Sequence, residues 1–256
     1  MKAVILAGGL GTRLSEETTV RPKPMVEIGG LPILWHILKI YSHYGINDFV
    51  ICAGYKGHMI TEWFADYRMR TADVTFDFAR DQIEYLNKVS EQWRVTVVHT
   101  GDDSMTGGRL RRIRDHLDDT FCFTYGDGVA DVDIAGLLAF HRDEGRQATM
   151  TVVQPPGRFG AVTLEEGQTG IDRFMEKPSG DGAWINGGYF VLEPEVIDRI
   201  DDDDTIWEQD PLRSLAHDDE LSAYRHFGFW QPMDTLRDKM LLESLWDSGA
   251  APWKCW

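Results

Sequence analysis

Residues 4–14 read VILAGGLGTRL: four apolar residues run straight into a segment with three glycines and a basic side chain. An apolar run that breaks so sharply, from Lys2 to Leu6, predicts a buried parallel strand ending in a tight loop. Gly8, Gly9 and Gly11 are free to take positive φ and to let the backbone approach a ligand closely. Loops of this kind hold phosphate, because several N–H groups converge where no Cβ intrudes. The GxxxxGK[ST] pattern is absent, and GxGxxG fails because its third glycine is Leu14. On these residues alone a glycine-rich turn without a ligand stays open.

The chain downstream alternates. Pro32 and the apolar positions Ile33, Leu34, Ile37, Leu38 and Tyr41, closed by Gly45, predict a helix with a proline start and a glycine stop. FVICAGY is a second strand, Met59 to Tyr67 a helix, Trp93 to His99 a third strand, and Leu110, Ile113 and Leu117 line another helix. FCFTYGDG is a strand ending in a turn, followed by a helix over Ile134 to His141 and a strand at Ala148 to Gln154. The fold class is therefore α/β: a Rossmann-like, mixed but mainly parallel sheet with helices on both faces. Its ligand belongs beyond the carboxyl ends of the strands, where the glycine loop and YGDG fall. The second half adds shorter strands near 161–164, 171–176, 188–192 and 221–226, with helices near 207–216 and 236–246, as a smaller extension with antiparallel strands. With no linker in sight, 1–256 reads as a single domain with halves 1–150 and 151–256. Residues 73–92 form an inserted hairpin whose apolar face, Val74, Phe76, Phe78, Ile83 and Tyr85, must pack on its own domain or on another subunit.

A formal charge of −16 argues against a nucleic-acid partner, since such a surface repels a phosphate backbone. An anionic substrate must then meet a local positive cluster, and Arg13, Arg21 and Lys23 supply one near the glycine loop. The run Asp201 to Asp204 reads as a solvated loop. Of three cysteines, Cys52 and Cys122 fall in apolar runs and read as buried thiols, which suggests a reducing cytoplasm. The first strand begins without a signal peptide, and no apolar run approaches bilayer length, so a cytoplasmic protein with no membrane partner is expected. The terminal PWKCW is either a packing tail or a disordered end.

LAGGLGTRL followed by RPKPM, with YGDG, EKP and INGGYFVLEP in order, resembles the signature of the sugar-phosphate nucleotidyltransferases across nearly the whole chain. TGDDSMTGGRLRR and PPGRFGA resemble the cytidylyl-transferring group within that family. The resemblance implies attack by a glucose 1-phosphate oxygen on the α-phosphorus of CTP, giving CDP-glucose and pyrophosphate; uridylyl or thymidylyl transfer is the alternative. A relative that keeps the fold but has lost catalysis should lack a metal carboxylate or a phosphate-binding lysine, and this chain has both. Positioning and charge neutralisation dominate such transfers. A phosphate monoester is already largely ionised at neutral pH, so no histidine is needed as a base.

By resemblance, Leu6, Ala7, Gly8, Gly9, Leu10, Gly11, Thr12 and Arg13 pass along the nucleotide, with Arg13 and Lys23 on the phosphates. Lys23 is expected to be extended between Pro22 and Pro24. Ser104, Thr106, Gly107, Gly108 and Arg109, in a loop, are expected to read the base edge, and Gly126 to complete the nucleotide site. Asp127 and Asp234 hold one Mg2+; on the residues alone Asp127 could be a turn-former and Asp234 the N-cap of the last helix. Lys177, extended before Pro178, meets the sugar phosphate, with Glu176, Asn186, Gly187, Arg158 and Gly160 around it. The catalytic set is thus Arg13, Lys23, Asp127, Lys177 and Asp234. The resemblance also implies a homo-oligomer, up to a hexamer.

Overall fold

The computed structural model describes residues 1–9, 11, 14–86, 91–155, 161–163, 169, 173–175 and 183–256. In chain order its elements are β1 Lys2–Ala7, α1 Ser15–Thr18, β2 Glu27–Ile28, β3 Leu31–Pro32, α2 Ile33–His43, β4 Asp48–Ala53, α3 His58–Thr71, β5 Val74–Asp77, β6 Gln82–Tyr85, β7 Arg94–His99 and α4 Thr106–Arg112. There follow β8 Phe121–Tyr125, β9 Gly128–Ala130, α5 Ile134–Glu144, β10 Ala148–Val153, β11 Ala161–Thr163, β12 Arg173–Met175, β13 Ile185–Leu192, α6 Asp210–His217, β14 Leu221–His226, β15 Trp230–Pro232 and α7 Leu236–Asp247.

Seven strands form the central sheet in the order β14-β10-β13-β8-β1-β4-β7. β1 runs parallel to both neighbours, β4 and β8, whereas β13 is antiparallel to β8 and β10. Period-two alternation along β1 explains why its run is apolar throughout. Ala3, Ile5 and Ala7 enter the core under α2, while Val4 and Leu6 enter the opposite core with Leu110, Phe190 and Trp207. Phe49 and Ile51 of β4 join the first core, and Val50 and Cys52 the second. Helices therefore cover both faces, as the βα alternation requires. No helix among the described residues is long and apolar enough to cross a membrane.

Three sequence expectations change. Helix α4 starts at Thr106 and ends at Arg112, with a separate 3-10 turn at Arg114–His116, so SMTGGR is largely the opening of a helix rather than a loop. The acidic run is not simply solvated: the Asp203 and Thr205 carbonyls accept from the N–H groups of Met105, Gly107 and Gly108, and the Asp203 carboxylate pairs with Arg112. Those carbonyls meet orphan donors at the helix start, and they come close enough that a Cβ on Gly107 or Gly108 would clash with them. Finally, Lys23 opens a 3-10 turn over Lys23–Met25 instead of lying extended.

The PWKCW end packs. Trp253 is fully buried and its indole N–H donates to His36 Nδ1 at 3.3 Å, while His36 Nε2 bonds the Ile28 carbonyl at 2.9 Å. Trp246 and Trp256 meet the same imidazole edge-on or tilted. Burial depresses the His36 pKa to about 4. The folded protein thus refuses a proton that the unfolded chain accepts near about 6.5. Stability from this group is full above pH 6.5, falls as pH drops towards about 4, and levels off below; at about 1.4 kcal/mol per pKa unit the loss reaches about 3 kcal/mol. Urea unfolding of wild type against His36→Gln from pH 7 to 4 should show that difference narrowing; a pH-independent difference would contradict it.

The hairpin stands as β5 paired with β6, Val74 opposite Tyr85 and Phe76 opposite Ile83. Arg68 of α3 lies 4.2 Å over the Tyr85 ring, which ties the ribbon to its helix. Phe76, Phe78 and Ile83 remain exposed, Phe78 at 92%, so this apolar face is not covered by the described residues of its own chain.

Candidate active site

The parallel register that sets Leu6 beside Tyr125 opens the glycine loop and the Gly126–Asp127 turn side by side at the carboxyl edge of the sheet. Between them lies a cavity of about 510 Å³, walled by Gly8, Gly9, Lys23, Thr106, Arg109 and Asp127, among others. The two strand ends touch closely: Gly126 N–H donates to the Leu6 carbonyl at 2.8 Å, and a Cβ at Gly126 would stand 2.5 Å from that oxygen.

The glycines are small for different reasons. Only Gly11 of the three takes positive φ (+63°). A Cβ on Gly9 would meet nothing within 4 Å among the described residues, and Gly9 lines the cavity. A Cβ on Gly8 would fall 2.2 Å from Arg109 Cζ. That guanidinium is almost fully buried and spends four N–H bonds on the protein: Thr100 Oγ1 (2.9 Å), and the carbonyls of Gly101 (2.6 Å), Gly8 (3.0 Å) and Asp102 (3.1 Å). Arg109 thus fastens the glycine loop to the segment before α4. Burial lowers its pKa.

Lys23 Nζ lies 2.7 Å from Asp127 Oδ2 and 2.6 Å from Asp234 Oδ1. Burial opposes its charge, but Asp127 first and Asp234 next outweigh it, and the pKa is raised. The cap of α7 is Thr235, in a capping box with Asp238. This corrects the N-cap reading of Asp234, whose carboxylate reaches Lys23 instead. Among the described residues no three His, Cys, Asp or Glu side chains form a metal cage. The Asp127–Asp234 pair nevertheless fits a hard cation, because both carboxylates already converge on one positive centre, with phosphate oxygens and water free to complete an oxygen shell.

Next to the cavity a recess of about 60 Å³ is lined by Tyr125, Asp127, Asn186, Gly187 and Trp230, among others. Trp230 Nε1 donates to the Gly187 carbonyl at 2.7 Å. Ser104 and Thr106 line the cavity, whereas a Cβ on Gly107 would meet Thr205 O at 2.7 Å and one on Gly108 would meet Asp203 O at 2.3 Å. Those two glycines back onto the 203–205 segment and do not line the cavity. Arg21 does not line it either: it pairs with Glu27 on the surface. Leu10, Thr12, Arg13, Arg158, Gly160, Glu176 and Lys177 lie outside the described residues. Sequence reasoning missed Pro24, Met105, Tyr125 and Glu208 in the cavity wall. Tyr125 carried a signal, standing two residues before Asp127; Glu208 carried none.

The nucleotidyl transferase family pattern matches residues 2–213. The chain belongs to that family. It is 62% identical, over the full length of both chains, to glucose-1-phosphate cytidylyltransferase of Salmonella typhi. It is 44% identical, again over both full lengths, to the probable glucose-1-phosphate cytidylyltransferase of Bacillus subtilis. Among solved structures, the fold is similar to UDP-glucose pyrophosphorylase from Acinetobacter baumannii, with a TM-score of 0.70 at 18% identity, covering 98% of this chain and 95% of that one. The mainly parallel sheet with helices on both faces is thus the family architecture.

Proposed function

We propose that this chain transfers a cytidylyl group from CTP to glucose 1-phosphate. A phosphate oxygen of the sugar attacks the α-phosphorus, the bond from that phosphorus to the oxygen bridging the β-phosphate breaks, and pyrophosphate leaves with CDP-glucose as the second product. The observation that carries this reading is the 62% identity to a cytidylyltransferase across the whole chain. The cavity supports it: an open glycine position, a buried arginine, and a lysine between two carboxylates lie together.

In this reading Gly9 and Gly11 let the backbone follow the nucleotide, and Arg13 and Lys23 neutralise its phosphates. Ser104, Thr106 and Arg109 stand where the base edge is read. Asn186 and Gly187 meet the sugar, joined by Arg158, Gly160, Glu176 and Lys177. We assign a divalent metal, Mg2+, to Asp127 and Asp234; when bound it supplies charge neutralisation at the reacting phosphates. With both carboxylates holding the metal, Lys23 would be left to meet the triphosphate oxygens. The three unpaired cysteines favour a cytoplasmic setting.

Pyrophosphate release with each nucleoside triphosphate tests the assignment. CTP should exceed UTP at least tenfold in kcat/KM, equivalent to at least about 1.4 kcal/mol of base-edge discrimination. Equal rates with the two pyrimidines would remove the cytidylyl reading while leaving the family intact.

The uncovered ribbon face supports a homo-oligomer, and we place the ribbon across a subunit boundary, with a hexamer as the largest assembly considered. Phe76→Ser with Phe78→Ser should shift light-scattering mass to smaller species, since each buried Phe contributes roughly 1.5–3 kcal/mol. A monomeric wild type, or an unchanged mass for the double variant, would contradict this.

A further inference from the structure

Glu208 lies just before α6, and its carboxylate reaches the cavity wall. Oε1 accepts from the Tyr125 phenol at 2.5 Å, and Oε2 accepts from the Thr106 hydroxyl at 2.6 Å. Both hydroxyl oxygens also accept a bond from behind, so each gives its proton forward to Glu208 and takes one in return. The Gly188 N–H donates to Asn186 Oδ1 at 2.8 Å, which turns the amide so that Nδ2 donates to the Tyr125 oxygen at 3.0 Å. A phenol that accepts there has one proton left to give, and it goes to Glu208. In the same way the Trp207 backbone N–H donates to Thr106 Oγ1 at 2.9 Å, while the Thr106 proton goes to the other carboxylate oxygen.

Two donors therefore face two oxygens, and an ionised carboxylate is the side chain of this length that accepts at both. An amide accepts at only one, so either the phenol or the hydroxyl would have to turn its proton away from residue 208. Gly188 holds the far end firmly: its φ is +77°, and a Cβ there would stand 2.7 Å from the Tyr125 ring. Tyr125, like Asp127, lines both the cavity and the recess, and Asn186 lines the recess.

We propose that Glu208 is a positioning residue for both substrates: through Tyr125 it aims Asn186 into the recess, and through Thr106 it holds the start of α4 against the nucleotide. Which substrate sits at which end rests on the function proposed above; the hydrogen-bond polarity does not.

Two measurements test this. In steady-state kinetics, Glu208→Gln should raise KM for glucose 1-phosphate and for CTP fivefold or more, with a smaller change in kcat. Tyr125→Phe should raise KM for glucose 1-phosphate alone, and the double variant should lie within twofold of Glu208→Gln, because both changes cut one chain of bonds. In the ligand-free protein, the Asn186 side-chain amide resonances should move in both single variants. An unmoved Asn186 amide, a KM for glucose 1-phosphate within twofold of wild type in Glu208→Gln, or effects that multiply in the double variant would each overturn the proposal. Should Glu208→Gln not fold, Tyr125→Phe must shift the glucose 1-phosphate KM alone and Thr106→Val the CTP KM alone; any other pattern overturns it. Inactivity of the wild type on CTP and glucose 1-phosphate would overturn the proposed function, and the amide measurement would still decide the role of Glu208.

Discussion

Asp127→Asn and Asp234→Asn should each lower turnover by roughly 100-fold or more, the scale expected when charge stabilisation at reacting phosphates is lost. The structure adds a second expectation that separates function from stability. Two carboxylates share one ammonium, Lys23, so the trio carries a net negative charge in a partly buried place. Neutralising either carboxylate relieves the repulsion between them and leaves Lys23 one partner. The melting temperature should therefore hold or rise while turnover collapses. Because Thr235 and Asp238 form the cap of α7, Asp234→Asn has no cap to break. Steady-state rates across a Mg2+ titration, with thermal melts of the same preparations, provide the check. A variant that melts lower yet turns over normally would show that the pair is structural.

Gly8→Ala should strongly damage nucleotide binding. Its Cβ would fall 2.2 Å from Arg109 Cζ and Nη1, in a site where the guanidinium already has four oxygen partners. The guanidinium must move, and buried acceptors on both loops lose their donor. Overpacking of this kind costs about 1–3 kcal/mol, and each kcal/mol lowers Tm by about 2–4 °C in a chain of this size. CTP affinity should fall at least about 30-fold, equivalent to roughly 2 kcal/mol. Gly9→Ala is the matched comparison. No described residue lies within 4 Å of its Cβ, so the fold should melt as wild type while CTP binding weakens, because the methyl enters the cavity itself. Calorimetric titration of CTP with melting curves separates the two; equal melting temperatures for both variants would refute the Arg109 clamp.

Local pattern was enough for much of the fold. The apolar run ending at Gly8 specified β1, because alternate residues feed two cores and both must be apolar. Pro32 and Gly45 bracketed α2, since proline suits a helix start and Gly45 takes φ +80° just past its end. The burial of Cys52 and Cys122 followed from the strands that carry them. These properties are written within about ten residues of chain, where side-chain period and backbone preference act.

What only the tertiary structure decided depends on partners far apart in sequence. Arg109 reaches Gly8 across 101 residues, Lys23 reaches Asp234 across 211, and Tyr125 meets Glu208 across 83. No local pattern distinguishes Gly8, small because a guanidinium lies against it, from Gly9, small beside an open cavity. Nor does it show that the Asp203 carbonyl serves the start of α4, or that Thr235 takes the cap that Asp234 could have filled. A hydrogen bond or a steric limit belongs to two atoms at once, and the second atom's position is fixed only when the sheet has brought its strands together.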